Sequence, residues 1–168
     1  TGPMIVKKSV PITGTTTAST LHDDLSAIGA GMIVEVVNTL AQMCTVLSAQ
    51  AQDDTHSTYA SMLKKDDGSV NWSQNATEID RQIRALNPWP GVWTKIKDKR
   101  LKILQACVAP ECSGPTGAPG QILDRSGHIQ CGDGTVLQLL SLQPEGKGAM
   151  DFASALNGQY LSVGDNAA

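Results

Sequence analysis

Apolar residues recur at two different periods along this chain, and the change from one to the other divides it. Leu21, Leu25, Ile28, Met32, Val36, Leu40, Met43 and Leu47 step by three or four. That spacing predicts one long helix with a single apolar stripe. Thr20 is its expected N-cap, with Asp23 completing a capping box in acidic form. Ahead of it, residues 4–10 read as a strand closed by Pro11, and Thr13-Gly14-Thr15-Thr16-Thr17 as a connector. Residues 48–54 are small and polar, show no period, and read as a linker. Tyr59, Met62 and Leu63 are expected to anchor an extended segment ending at the turn Asp66-Asp67-Gly68. Asn75-Ala76-Thr77-Glu78 is a second capping box, opening a short helix that buries Trp72, Ala76, Ile79, Ile83 and Leu86. Glu78, Arg81, Gln82 and Arg84 lie on its opposite face.

That helix must stop by Asn87, because Pro88 and Pro90 fix φ and remove two backbone donors. Gly91 then frees the chain for a corner, and Val92-Trp93-Thr94 begins a strand. Trp89 is expected to plug the junction of helix and sheet; the alternative is a stacking residue for nucleic acid. Beyond the corner, strands are predicted at 92–96, 101–108, 121–123, 128–130 and 135–141. The joints are Lys97-Asp98-Lys99, the Pro/Gly loop 109–120, Asp124-Arg125-Ser126-Gly127 and Gly132-Asp133-Gly134. A short helix over 149–156 follows the turn 144–148, ahead of a tail with Tyr160 and Leu161. Five short strands with tight turns suggest a small OB-like β-barrel. The fold class is therefore α+β, with 1–47 as a separate strand-and-helix piece, 48–70 as linker and 71–168 as the barrel domain.

Composition and charge sharpen this picture. Hydrophobic content is 40% but aromatic content only 4%, so aliphatic side chains must build the core. No apolar run approaches the ~20 residues that span a bilayer, and the N-terminus lacks a signal-peptide pattern, so a cytoplasmic protein is expected. The cysteines 44, 107, 112 and 131 form no Cys-x-x-Cys pair, and His22, His56 and His128 are scattered. Reduced thiols and no metal site are expected, although Cys107 and Cys112 are spaced to pair in an oxidising compartment. The formal charge is −3, yet residues 81–102 carry Arg81, Arg84, Lys95, Lys97, Lys99, Arg100 and Lys102 against Asp98 alone, a net +6. From Asp124 onward five acids face Arg125 and Lys147. An acidic remainder keeps a protein off random polyanions while a basic face engages one in the right place. The competing account is a solvated charged hairpin.

The residues give no sign of catalysis. Neither a nucleophile beside a base nor a phosphate-cradling glycine loop is present, and the acid pairs 23–24, 53–54 and 66–67 read as solvated surface. Gly29-Ala30-Gly31 lacks a preceding strand and a third glycine, so it signals close helix packing. A basic hairpin on an OB-like barrel points to a binding module, with Trp93 or Trp89 as a possible stacking face.

Asn71-Trp72-Ser73, Ile83-Arg84-Ala85-Leu86-Asn87-Pro88-Trp89-Pro90-Gly91, Trp93, Gly120-Gln121-Ile122, Gly132-Asp133-Gly134 and Leu140-Ser141-Leu142-Gln143-Pro144-Glu145-Gly146-Lys147 closely resemble the C-terminal part of the bacterial methionyl-tRNA formyltransferase family. The likeness extends upstream through Thr20-Leu21-His22-Asp23 to Thr1-Gly2-Pro3-Met4. The resemblance implies that residues 1–47 end a Rossmann-like catalytic domain, whose formyl donor is 10-formyltetrahydrofolate and whose acceptor is the amine of methionine on initiator tRNA. It also implies that the catalytic asparagine, histidine and aspartate lie upstream of Thr1, so that this segment alone has no catalytic residue and binds no cofactor. Its expected partners are initiator tRNA and the rest of the catalytic domain, in translation initiation. Arg84, Lys95, Lys97, Lys99, Arg100 and Lys102 are the expected phosphate contacts, with Lys64, Lys65, Arg81 and Lys147 as outliers. Asn87, Pro88, Trp89, Pro90, Gly91 and Trp93 form the structural motif. Two other readings remain open: a module that docks the catalytic domain through the Pro-Trp-Pro corner, and the end of a formyltransferase for another amine.

Overall fold

The computed structural model describes residues 2–43, 47–110 and 116–168. Thr1, Cys44, Cys112, Gly114 and Pro115 lie outside the described residues, as does the side chain of Met43. The chain divides into two compact units, Thr1–Met62 and Leu63–Ala168.

The first unit is built on helix α1 (Ala18–Met43). Its N-cap is Thr17 and not the expected Thr20: Thr20 N–H donates to Thr17 Oγ1 (3.2 Å) and Thr17 N–H to Thr20 Oγ1 (3.0 Å). The two threonines thus form the reciprocal pair, and Asp23 takes no part in the cap. Leu21, Ile28, Met32 and Val36 are half-buried, whereas Leu25 and Leu40 of the same stripe, with Ile33, Val34 and Val37, are exposed. Residues 18–42 are long and apolar enough, by length and composition, to cross a membrane, a test that core helices also pass. The expectation that no stretch reaches that length is corrected. The strand expected over 4–10 does not form either; a single bridge joins Met4 to Gln50, and the described residues of this unit show no Rossmann-like sheet. Tyr59 and Met62 anchor nothing, being 92% and 85% exposed.

All the buried apolar residues described belong to the second unit, between Val70 and Ala167. Helix α2 (Ala76–Leu86) starts at the expected box, with Asn75 accepting from Glu78 N–H and Glu78 accepting from Asn75 N–H. Ala76, Ile79 and Ile83 are buried along its inner face, together with Trp72 just ahead of it. The sheet comprises β1 (Val92–Ile96), β2 (Lys99–Val108), β3 (His128–Gln130), β4 (Val136–Pro144) and β5 (Met150–Asp151), all antiparallel, in the order β1-β2-β4-β3 with β5 also on β4. Helix α3 (Phe152–Asn157) buries Phe152 and Ala155. The expected strand over 121–123 makes only isolated bridges, and the fifth strand is β5.

These strands do not close into a barrel by themselves. Two irregular segments run along the gap between β1 and β3. Gly120 N–H donates to Gln130 O and Gln130 N–H to Gln121 O, so the first lies on β3. Ala167 N–H donates to Gly120 O, while Ala168 exchanges backbone hydrogen bonds with Lys95 at 2.8 and 2.9 Å, so the second lies between the first and β1. The expected tail, which includes Tyr160 and Leu161, therefore ends as part of the sheet's framework.

Candidate nucleic-acid interface

Alternation along the first hairpin decides which of its cations share a face. In β1, Val92, Thr94 and Ile96 are buried, so Trp93 and Lys95 point outward. In β2, Leu101 and Ile103 are buried, so Arg100 and Lys102 point outward. The joint has two residues and not three: Lys97 (φ 51°) and Asp98 (φ 61°) both take the left-handed conformation that matches a hairpin's twist. Ile96 consequently faces Lys99, Lys95 faces Arg100 and Trp93 faces Lys102. Arg100 reaches diagonally to lie over the indole of Trp93, with Cζ 4.1 Å from the ring centroid. The indole N–H donates to Lys65 O at 3.3 Å, which holds the ring at its edge.

Of the six expected phosphate contacts, the structure brings Lys95, Arg100 and Lys102 together on one outward face. Among the described residues, no acid forms a salt bridge with any of them. Lys99 is exposed but alternates to the other side of the hairpin tip. Lys97 is held by the tail, with Nζ 2.9 Å from Asp165 Oδ2 and 3.2 Å from Ser162 Oγ. Arg84 is mostly buried on α2, its Nε 2.9 Å from Asp80 Oδ2. The carboxylates of Asp165 and Asp80 already neutralise these two.

The proline corner positions the hairpin. Asn87 caps the end of α2, and its Nδ2 donates to Ile83 O and Ile103 O at 3.0 Å and to Leu104 O at 3.3 Å. Between Ile103 and Gln105 the β2–β4 register shifts, so the carbonyls of Ile103 and Leu104 lie at a bulge. Asn87 satisfies them and ties helix to strand. Gly91 (φ 83°) makes the corner, its carbonyl so close over Gly68 that a Cβ there would collide. Trp89 does not plug the junction; it is 59% exposed. Trp72 fills that role, 4% exposed, with Nε1 donating to Thr94 Oγ1 at 3.0 Å. Thr94 in turn donates to Ala168 O at 3.0 Å.

A recess of about 150 Å³ adjoins the basic face, lined by Arg100, Lys102, Gln143, Pro144, Glu145 and Gly146. From the sequence, 144–148 reads only as a turn, because the pairing of Lys102 with Gln143 depends on strands far apart in the chain. The Trp93–Arg100 stack was legible in principle: a two-residue turn sets the register that creates it. No group of three or more His, Cys, Asp or Glu residues suited to a metal occurs among the described residues. A second recess, about 410 Å³, lies in the first unit between residues 4–7 and 48–50. Its lining, Met4, Ile5, Val6, Lys7, Ser48, Ala49 and Gln50, holds no carboxylate. Cys107 and Cys131 are free thiols, and burial pushes that of Cys131 up to about 12.

Residues 62–160 match the family model described as formyl transferase, C-terminal domain. The methionyl-tRNA formyltransferase of Paramagnetospirillum magneticum is 41% identical over 98% of this chain, and that of Jannaschia sp. is 42% identical over the same share. These alignments take in 52% and 51% of the two relatives, so the chain spans about half the length of the curated proteins it matches. Among solved structures, HypX from Aquifex aeolicus superposes with a TM-score of 0.66 over 90% of this chain and 27% of its own, at 18% identity, which shows a shared fold. A further structure of HypX, in complex with tetrahydrofolic acid, superposes equally well at 17% identity. With the family match spanning more than half of its residues, this chain belongs to the formyl transferase C-terminal domain family.

Proposed function

We propose that this chain is the C-terminal part of a methionyl-tRNA formyltransferase and that its second unit holds the tRNA. The observation that carries the reading is the outward cluster of Lys95, Arg100 and Lys102, without an acid partner among the described residues. Lys95 directly opposite Arg100 is a repulsive pair in the free protein, and a polyanion removes that cost. Lys99 at the hairpin tip extends the footprint; Lys97 and Arg84 contribute through the fold that presents it. The irregular segments at 120–123 and 164–168 support a reading of the unit as an OB-like barrel that they complete. Residues 1–47 would end the catalytic domain and 48–70 would link it to the barrel. The folate-derived formyl donor and the catalytic residues would belong to the rest of the enzyme, in the cytoplasm.

Binding of initiator tRNA to this chain across a salt series tests the proposal. With three or four phosphate contacts, the log–log slope should be about −2 to −4. Lys95→Glu and Lys102→Glu should weaken binding and flatten the slope without loss of thermal stability. Wild-type affinity in both variants would overturn the assignment. The exposure of Trp89 favours a second reading, in which the corner docks the catalytic domain. Trp89→Ala in the longer enzyme would then lower formyl transfer while leaving tRNA affinity of this segment unchanged.

A further inference from the structure

We propose that Trp93 and Arg100 form a platform on which one unpaired nucleobase stacks, while Lys95 and Lys102 hold the flanking phosphates. The inference rests on the tRNA-holding reading and adds to it a requirement for a base, which charge alone does not impose.

The platform is assembled before any ligand arrives. Lys65 O holds the indole N–H at the ring edge, and Arg100 lies over the ring from a diagonal position two residues along the partner strand. Arg100 is exposed and its guanidinium carbon sits over the indole, so a base that stacks there would meet both groups. Stacked arginine and aromatic planes accept any base, since every base has a π-face. The recess beside Arg100, about 150 Å³ and lined by Pro144 and Gly146 among others, is where the proposal seats the edge of that base. Its lining also holds Glu145, whose backbone N–H donates to Arg100 O at 3.2 Å. A carboxylate turned toward that recess would repel a bare phosphate, yet it would accept readily from the amino or imino N–H of a base. Gln143 is steadied by donating from Nε2 to Lys147 O at 2.9 Å, which completes a rigid wall. The phosphates are then left to Lys95 and Lys102, which flank the stack on the open face.

The decisive experiment compares two probes of equal charge: a short single-stranded oligoribonucleotide and an abasic phosphodiester chain of the same length. The wild-type chain should bind the base-bearing strand about ten-fold or more tightly, the scale of one stacked base. Arg100→Lys keeps the charge and loses the plane; it should abolish that preference while leaving the salt slope unchanged. Trp93→Phe, a smaller ring, should reduce the preference in part. Equal affinity of wild-type protein for both probes would overturn the platform and leave the electrostatic holder standing. A preference that survives Arg100→Lys undiminished would place the base elsewhere and also overturn it. Binding to neither probe nor to tRNA would remove both proposals together.

Discussion

Asn87 and Trp89 are two residues apart in one motif, and the structure gives them opposite energetic roles. The Asn87 amide supplies hydrogens to Ile83 O, Ile103 O and Leu104 O in a half-buried site. Asn87→Ala leaves those carbonyls short of a donor and should cost about 1–3 kcal/mol. Asn87→Asp should cost more, since a carboxylate would face the same oxygens. Trp89→Ala, on an exposed side chain, should stay within about 0.5 kcal/mol of wild type, against roughly 3–5 kcal/mol for Trp72→Ala. Urea unfolding of the four variants measures all of this; a large loss in Trp89→Ala would restore the plug. The end of the helix at Asn87 was readable because two prolines follow it. Its reach to β2 was not, since the bulge it serves is created by pairing with β4. Trp89 looked like a plug because aromatic residues beside helix ends usually are, and Trp72, earlier in the chain, had already filled the space.

At the scale of the element, the hairpin's two turn residues both sit at positive φ without being glycine. That conformation costs an L-residue energy that glycine avoids. Asp98→Gly should therefore raise stability by up to about 1 kcal/mol and, by removing an acid from the hairpin, should not weaken RNA binding. Lys97→Glu should do the reverse, setting a carboxylate against that of Asp165, and thermal unfolding of the two variants separates these outcomes. Elements whose signals are local were legible: α2 with its capping box, β1, and the short β3 all stand where period and punctuation place them. The sheet's remaining partners were not. β5 has two residues, and the segments at 120–123 and 164–168 have no period of their own; only contact with β3 and β1 orders them.

Across the whole molecule, the buried core described lies between Val70 and Ala167, within the second unit. Residues 63–168 alone should thus unfold cooperatively with the same midpoint as that unit has in the longer chain; a drop of many degrees would mean that 1–62 contributes packing. Acid should weaken this unit through Asp124. Burial alone would raise its carboxyl, but hydrogen bonds from the side chain and backbone of His128 and the backbone of Ser126 outweigh it and hold the carboxyl below its ordinary value. A lowered folded value stabilises above the unfolded one, near 3.9, and that contribution fades as pH falls through the folded value. Asp124→Asn should lessen the dependence of unfolding on pH below about 4. The same framework decides where the chain can be extended. Because Ala168 is paired to the backbone of Lys95, anything fused after it emerges at the rim of the cationic face. An acidic or bulky purification tag placed there would lie against the hairpin's cations, so a test of the proposed RNA binding is better served by a tag at the other end.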